Sequence, residues 1–177
     1  IDKVSEAFQK KIREDMYAAV AGAFAGLSTP YSNGSAGSFS EDKLTDIIDH
    51  VEAATGKKAY ILGSKQAVRK ITGVKGADST SAKEDLYAMG YFGHFYTTPI
   101  IVMENAHKVG STDFVLGNDL YIVASDDKFV KFVTEGDTLI IPGDALGNSD
   151  LSQEYFMAER YGISVIFAEA FGEYALS

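Results

Sequence analysis

Tyr91-Phe92-Gly93-His94-Phe95-Tyr96-Thr97-Thr98-Pro99-Ile100-Ile101-Val102-Met103 is the stretch on which the reading of this chain turns. Phe95-Tyr96 and Ile100 to Met103 read as strands, because aromatic and β-branched residues suit a pleated, half-buried surface. The chain downstream keeps that character. Leu120 to Ala124, Phe129 to Val133, Ser152 to Tyr161, Ile163 to Ala168 and Phe171 to Leu176 are further strand-like runs. Gly117-Asn118-Asp119, Ser125-Asp126-Asp127 and Glu135-Gly136-Asp137 are expected to separate or bound them as turns, with Gly162 and Gly172 as bends or bulges.

Upstream, the periods are helical. Val4, Phe8, Ile12, Met16, Val20 and Phe24 recur every four residues, which predicts a long amphipathic helix with Phe8 in its packed stripe. It stops before Pro30, and Tyr31 to Ser38 reads as a flexible loop. Ser40 is placed to cap the next helix, with Glu41 and Asp42 in its first turn and Phe39 as a staple against Leu44. Leu44, Ile47, Ile48 and Val51 give it one apolar face, and Gly56 ends it. Ala59 to Leu62 reads as a short buried strand, Ser64 caps a brief helix, and Ser81-Ala82-Lys83-Glu84 is a capping box for a helix ending at Gly90. Helices interleaved with a few strands, then mainly strands, predict an α+β class. At 177 residues the chain is long enough for one substantial core, so a single compact unit is expected.

Net charge is −9 and unevenly spread. Residues 1–75 hold eleven Lys/Arg against nine Asp/Glu, and residues 76–177 hold five against sixteen. Nucleic-acid affinity depends on clustered cations facing phosphates, so specific nucleic-acid binding is not expected. No apolar run approaches the ~20 residues that span a bilayer, so no membrane association is expected. Ile1-Asp2-Lys3-Val4 shows no export signal, and with no Cys there is neither a disulfide framework nor a thiolate metal site.

Catalytic chemistry has little to stand on. His50, His94 and His107 stand apart, outside any ligand-spaced motif. His50 is expected to face solvent on its helix, His94 to pack among aromatics, and His107 to lie in a loop near Glu104. Phosphate-binding glycine patterns are absent, and Asn33-Gly34-Ser35-Ala36-Gly37 lacks the spacing of a nucleophile elbow. No catalytic, cofactor-binding or metal residue is assigned, and the chain is expected not to be an enzyme.

The Tyr91 to Met103 stretch resembles the aromatic/Gly segment and "x-P-[VI]-[VI]" strand of tailed-phage major capsid proteins with the HK97-type fold. Asp113-Phe114-Val115-Leu116-Gly117-Asn118 follows as in that family. So do the final strand pair, Ser152 to Val165, and the Ala170-Phe171-Gly172-Glu173-Tyr174 terminus. Upstream, Ala53 to Ser64 is similar to the family's helix, Gly turn and "IIGS/T"-like strand. The resemblance implies an axial domain, with helices around a central mixed sheet, plus some peripheral-domain strands. The family's N-terminal arm, E-loop hairpin and preceding spine helix are not recognisable, so the chain reads as the C-terminal part of a capsid subunit.

That resemblance implies a structural role: self-assembly into pentamers and hexamers of an icosahedral head, with other copies of the chain as partners. It also implies virion localisation after assembly in the host bacterial cytoplasm. An encapsulin-like nanocompartment shell and a small soluble enzyme are the alternatives. Taken alone, the chain is expected to be monomeric or weakly associated. The polar segment Asn105 to Thr112, with His107 and Lys108 as its cations and Ser111 and Thr112 at its end, is expected to project as a mobile subunit-contact tip.

Overall fold

The apolar face formed by Leu44, Ile47, Ile48 and Val51 is wholly buried. It lies on a helix, α2 (Glu41–Thr55), which ends at Gly56 in the left-handed conformation. The computed structural model describes residues 2–34, 38–72, 74–75, 80–125, 129–143, 155–166 and 170–176. In chain order the elements are α1 (Asp2–Phe24), β1 (Ser32–Gly34), α2, β2 (Tyr60–Ser64), α3 (Lys65–Val68) and α4 (Thr80–Met89). Then come β3 (His94–Phe95), β4 (Thr98–Met103), β5 (Leu120–Val123), β6 (Val130–Pro142), β7 (Tyr155–Val165) and β8 (Phe171–Ala175).

Six strands form a mixed sheet in the order β1-β8-β5-β2-β4-β3. β1 runs parallel to β8, and β2 runs parallel to β4; the other pairs are antiparallel. All four residues of β5 are buried, because helices cover the sheet on both faces. Leu120 and Ile122 point into the larger core with the α2 face, Ile61, Val68 and Tyr174. Tyr121 and Val123 point the other way, into a smaller core with Phe24 and Phe171. The α+β reading therefore holds, with helices around a central mixed sheet.

Local signals succeed where their geometry is local. Ser64 caps α3, its Oγ accepting from Ala67 N–H at 3.2 Å while donating to Gly117 C=O at 3.0 Å. Ser40 does occupy the N-cap position of α2, but its side chain makes no capping bond. Its backbone N–H instead donates to the Tyr174 hydroxyl at 2.7 Å, and Phe39 packs its ring near Phe95 and Tyr174. The helix expected from Ser81 already begins at Thr80. In the Tyr91 to Met103 stretch, Tyr96 leaves the strand: at φ +52° it forms the tight turn between β3 and β4. The Tyr96 hydroxyl donates to the Glu41 carboxylate, which also accepts from Lys75 N–H, tying this turn to the start of α2.

Four expectations are corrected. The loop read over Tyr31 to Ser38 contains β1: Ser32–Gly34 pairs with Glu173–Ala175, and Glu173 N–H donates to Tyr31 C=O. Residues 35–37 of that loop lie outside the described residues. The turn read at Glu135-Gly136-Asp137 is a bulge inside β6. Gly162 and Gly172 are neither bends nor bulges, since both sit in paired strand register opposite Val133 and Ile122. His94 is exposed, because the two-residue period of β3 turns Phe95 inward instead. The Ser125-Asp126-Asp127 turn lies mostly outside the described residues.

Candidate assembly surface

The apolar stripe of α1 is only partly covered. Phe24 is 1% exposed, Phe8, Ile12, Met16 and Val20 are half-buried, and Val4 is exposed. The helix docks on the body at its C-terminal end and leaves its N-terminal half to other neighbours. One of these is the β6–β7 ribbon, a two-stranded sheet separate from the main one. Val165 at its base packs with Phe24's cluster, and Tyr161 OH donates to Asp15 Oδ2 at 2.5 Å. Nine helical residues separate Phe24 from Asp15, about 14 Å, and four strand residues separate Val165 from Tyr161, also about 14 Å. The ribbon thus runs along α1, and the two form one arm.

The Asp15–Tyr161 bond has an electrostatic signature. The tyrosine hydroxyl, and Lys11 at 3.0 Å, hold the Asp15 carboxyl below its ordinary range. The carboxylate in turn pushes Tyr161 up to about 12. The sign follows for each group. Asp15 favours the folded state above its unfolded pKa, near 4, and loses that contribution as pH falls through its lower folded value. Tyr161 contributes below about 10 and loses its contribution as pH rises towards about 12. Tyr161→Phe should therefore remove one of two tyrosinate steps near 12 from the ultraviolet titration curve, the other being that of Tyr121, which burial pushes up, and cost about 1 kcal/mol of stability. Loss of an ordinary step near 10 instead would mean that the bond is not formed.

Further out, the ribbon changes. Between the pairs Glu135↔Arg160 and Leu139↔Ala158, three residues of β6 (Gly136, Asp137, Thr138) stand opposite Glu159 alone. Gly136 takes φ +79°, which glycine adopts without strain, and the bulge lets the strand continue. Beyond it, Leu139, Ile140, Ile141 and Phe156 are 55%, 50%, 49% and 62% exposed. Cross-strand pairing puts Ile141 with Phe156 on one face and Ile140 with Met157 on the other, so both faces are apolar. A two-stranded ribbon with nothing packed on it is marginal in water. Such a surface is characteristic of protein–protein contact.

The segment expected to project as a mobile tip is instead folded against the other flank of α1. Asn105 closes it: its Oδ1 accepts from Ala106 and Leu116 N–H, and its Nδ2 donates to Leu116 C=O. Lys108 N–H donates to Asp113 C=O, and His107 lies against the Phe114 ring. Ser111 Oγ accepts from Asp113 N–H. Two bonds then fix it to the helix: Val109 N–H to Glu14 Oε2 at 3.1 Å, and Tyr17 OH to Glu104 C=O at 3.1 Å. His107, Lys108, Ser111 and Thr112 remain exposed on a wide basin that also includes Ala7 and Lys10.

Where arm meets body, Met16, Tyr17 and Val20 of α1 face Leu62, Met103 and Phe129 across an apolar cavity of about 140 Å³. No polar side chain converges there with the spacing of a catalytic group. Among the described residues no His, Asp or Glu cluster could hold a metal ion, and no helix is long and apolar enough to cross a membrane. His50 faces solvent beside Asp46, at 3.6 Å. Sequence reasoning missed the arm's apolar end, although Leu139-Ile140-Ile141 carries its signal: consecutive apolar residues in a strand mean two apolar faces.

The family model for "SPbeta prophage-derived putative capsid protein YonB" matches residues 1–174. No curated protein matches the sequence. Among solved structures, a phage-related protein from Bordetella bronchiseptica RB50 superposes with a TM-score of 0.52 at 13% identity. It covers 85% of this chain and 57% of its own. The holo-SrpI encapsulin complex from Synechococcus elongatus PCC 7942 gives a TM-score of 0.56 at 8% identity, covering 98% of this chain and 62% of its own. At such identities the likeness is one of fold, and the chain spans less than two thirds of the length of either structure.

Proposed function

The chain belongs to the YonB family of prophage-derived capsid proteins and has the HK97-type fold, and from that premise we propose that it builds shells by self-association. The observation that carries this reading is the ribbon beyond the bulge, apolar on both faces and exposed in the single chain. Its stability requires a neighbour, and the partners are other copies. The six-stranded sheet with α2 and α3 serves as the axial domain, grouped around five- and six-fold axes. The arm of α1 and β6–β7 serves as the peripheral part, with α1 as its spine. The chain accounts for the C-terminal portion of the subunit architecture, and its task is geometric, with no catalysis.

Many contacts of modest size become collectively stable when multiplied over a closed shell. The acidic second half suits an inner wall that attracts DNA weakly, so that no specific nucleic-acid contact is made. The shell resides in the virion, after assembly in the host cytoplasm. The full-length protein, purified and concentrated, should give closed particles by light scattering and electron microscopy. Monomers at every concentration and ionic strength would remove the proposal. An encapsulin-like shell is the second reading, favoured by the fold match that extends over 98% of the chain. Packaged protein instead of DNA inside particles purified from the native host would select it.

A further inference from the structure

The basin between α1 and the 107–112 turn collects Lys10, His107 and Lys108 with the hydroxyls of Ser111 and Thr112. Among the described residues none of these three basic side chains forms an ion pair, although the chain carries nine excess negative charges. Glu14, the carboxylate beside them, is engaged by Val109 N–H. The bulge on the ribbon has the opposite character. Glu135, Asp137 and Glu159 line a shallow recess there against the single cation Arg160.

The two surfaces lie on different flanks of one helix. Lys10 and Asp15 are five residues apart, which places them about 140° apart around α1. Asp15 holds Tyr161, and the bulge begins two residues beyond Tyr161's cross-strand partner, Thr134. Basin and bulge therefore stand at similar levels along the arm with the helix between them, and cannot neutralise each other within one chain. Complementary charge on opposite flanks is what a head-to-tail contact requires, since each copy offers both halves and a suitable rotation closes a ring. We propose that Lys10, His107 and Lys108 of one subunit receive Glu135, Asp137 and Glu159 of the next. This contact rests on the shell reading and names one interface within it.

Three variants of the full-length protein test it: Lys10→Glu with Lys108→Glu, Glu135→Lys with Asp137→Lys, and all four together. All four positions are exposed, and the thermal midpoint of the unassembled subunit checks that each variant folds. Each reversed pair should lower the yield of particles about tenfold or more at low salt, and the combined variant should recover most of that loss. A combined variant as defective as either pair, or a reversal without effect on assembly, would overturn the contact. So would a basin reversal whose sole consequence is weaker binding to duplex DNA. Failure of the wild-type protein to assemble under any condition would instead refute the shell reading itself.

Discussion

Phe24→Ala should cost about 3–5 kcal/mol of unfolding free energy. Phe24 is the one residue of the α1 stripe that is fully buried, with its ring 4.8 Å from Tyr121 and 5.1 Å from Phe171. Truncation removes the apolar area that joins helix to sheet, and leaves a void beside the cavity that Phe24 already lines. The fixed backbone of β5 and β8 cannot collapse into that space, so the cavity cost adds to the lost burial. Phe8, in the same stripe but half-buried, should lose less than half as much on replacement by Ala. Denaturant midpoints at constant m-value measure both. Equal losses at the two positions would mean that α1 packs along its whole length, not as an arm anchored at its C-terminal end.

Gly172→Val should destabilise by about 3 kcal/mol, at the upper end for overpacking. Strand preference alone argues the reverse, because Val is favoured over Gly in a paired strand by up to about 1 kcal/mol. Packing decides. A Cβ at position 172 would stand 2.4 Å from Ile47 Cγ2, 3.1 Å from Val51 Cγ2 and 3.2 Å from Tyr31 C=O. The helix face and the residue before β1 both close on this point; Ile47 and Val51 have no exposed surface to retreat into, and Tyr31 C=O is held by Glu173 N–H. A neutral or stabilising outcome would show that α2 stands further from β8 than these distances.

These two sites also show what could be read from the sequence. The α2 face, its Gly56 terminus and the Ser64 cap were legible because each depends on residues within a few positions of one another. Gly172 read as a bend or bulge; what requires glycine there, a helix about 120 residues upstream, leaves no local trace. β1 was hidden because Ser32-Asn33-Gly34 has turn composition, and its pairing with Glu173–Ala175 is long-range. Turn composition also concealed the bulge, where Gly136 permits a conformation that continues the strand. Charge and polarity singled out the segment Asn105 to Thr112, but not its fold. Its attachment runs through Glu14 and Tyr17, far away in sequence, and turns an expected free tip into one wall of a basin.

If copies of this chain cover one another's apolar arms in a closed shell, single-particle cryo-electron microscopy of the full-length protein will show it. Particles with five- and six-fold clusters are expected, in which Leu139, Ile140, Ile141 and Phe156 of every subunit are covered by a neighbour. Well-folded subunits that stay single, or particles in which the ribbon beyond Gly136 points into solvent, would contradict a shell held together by these arms.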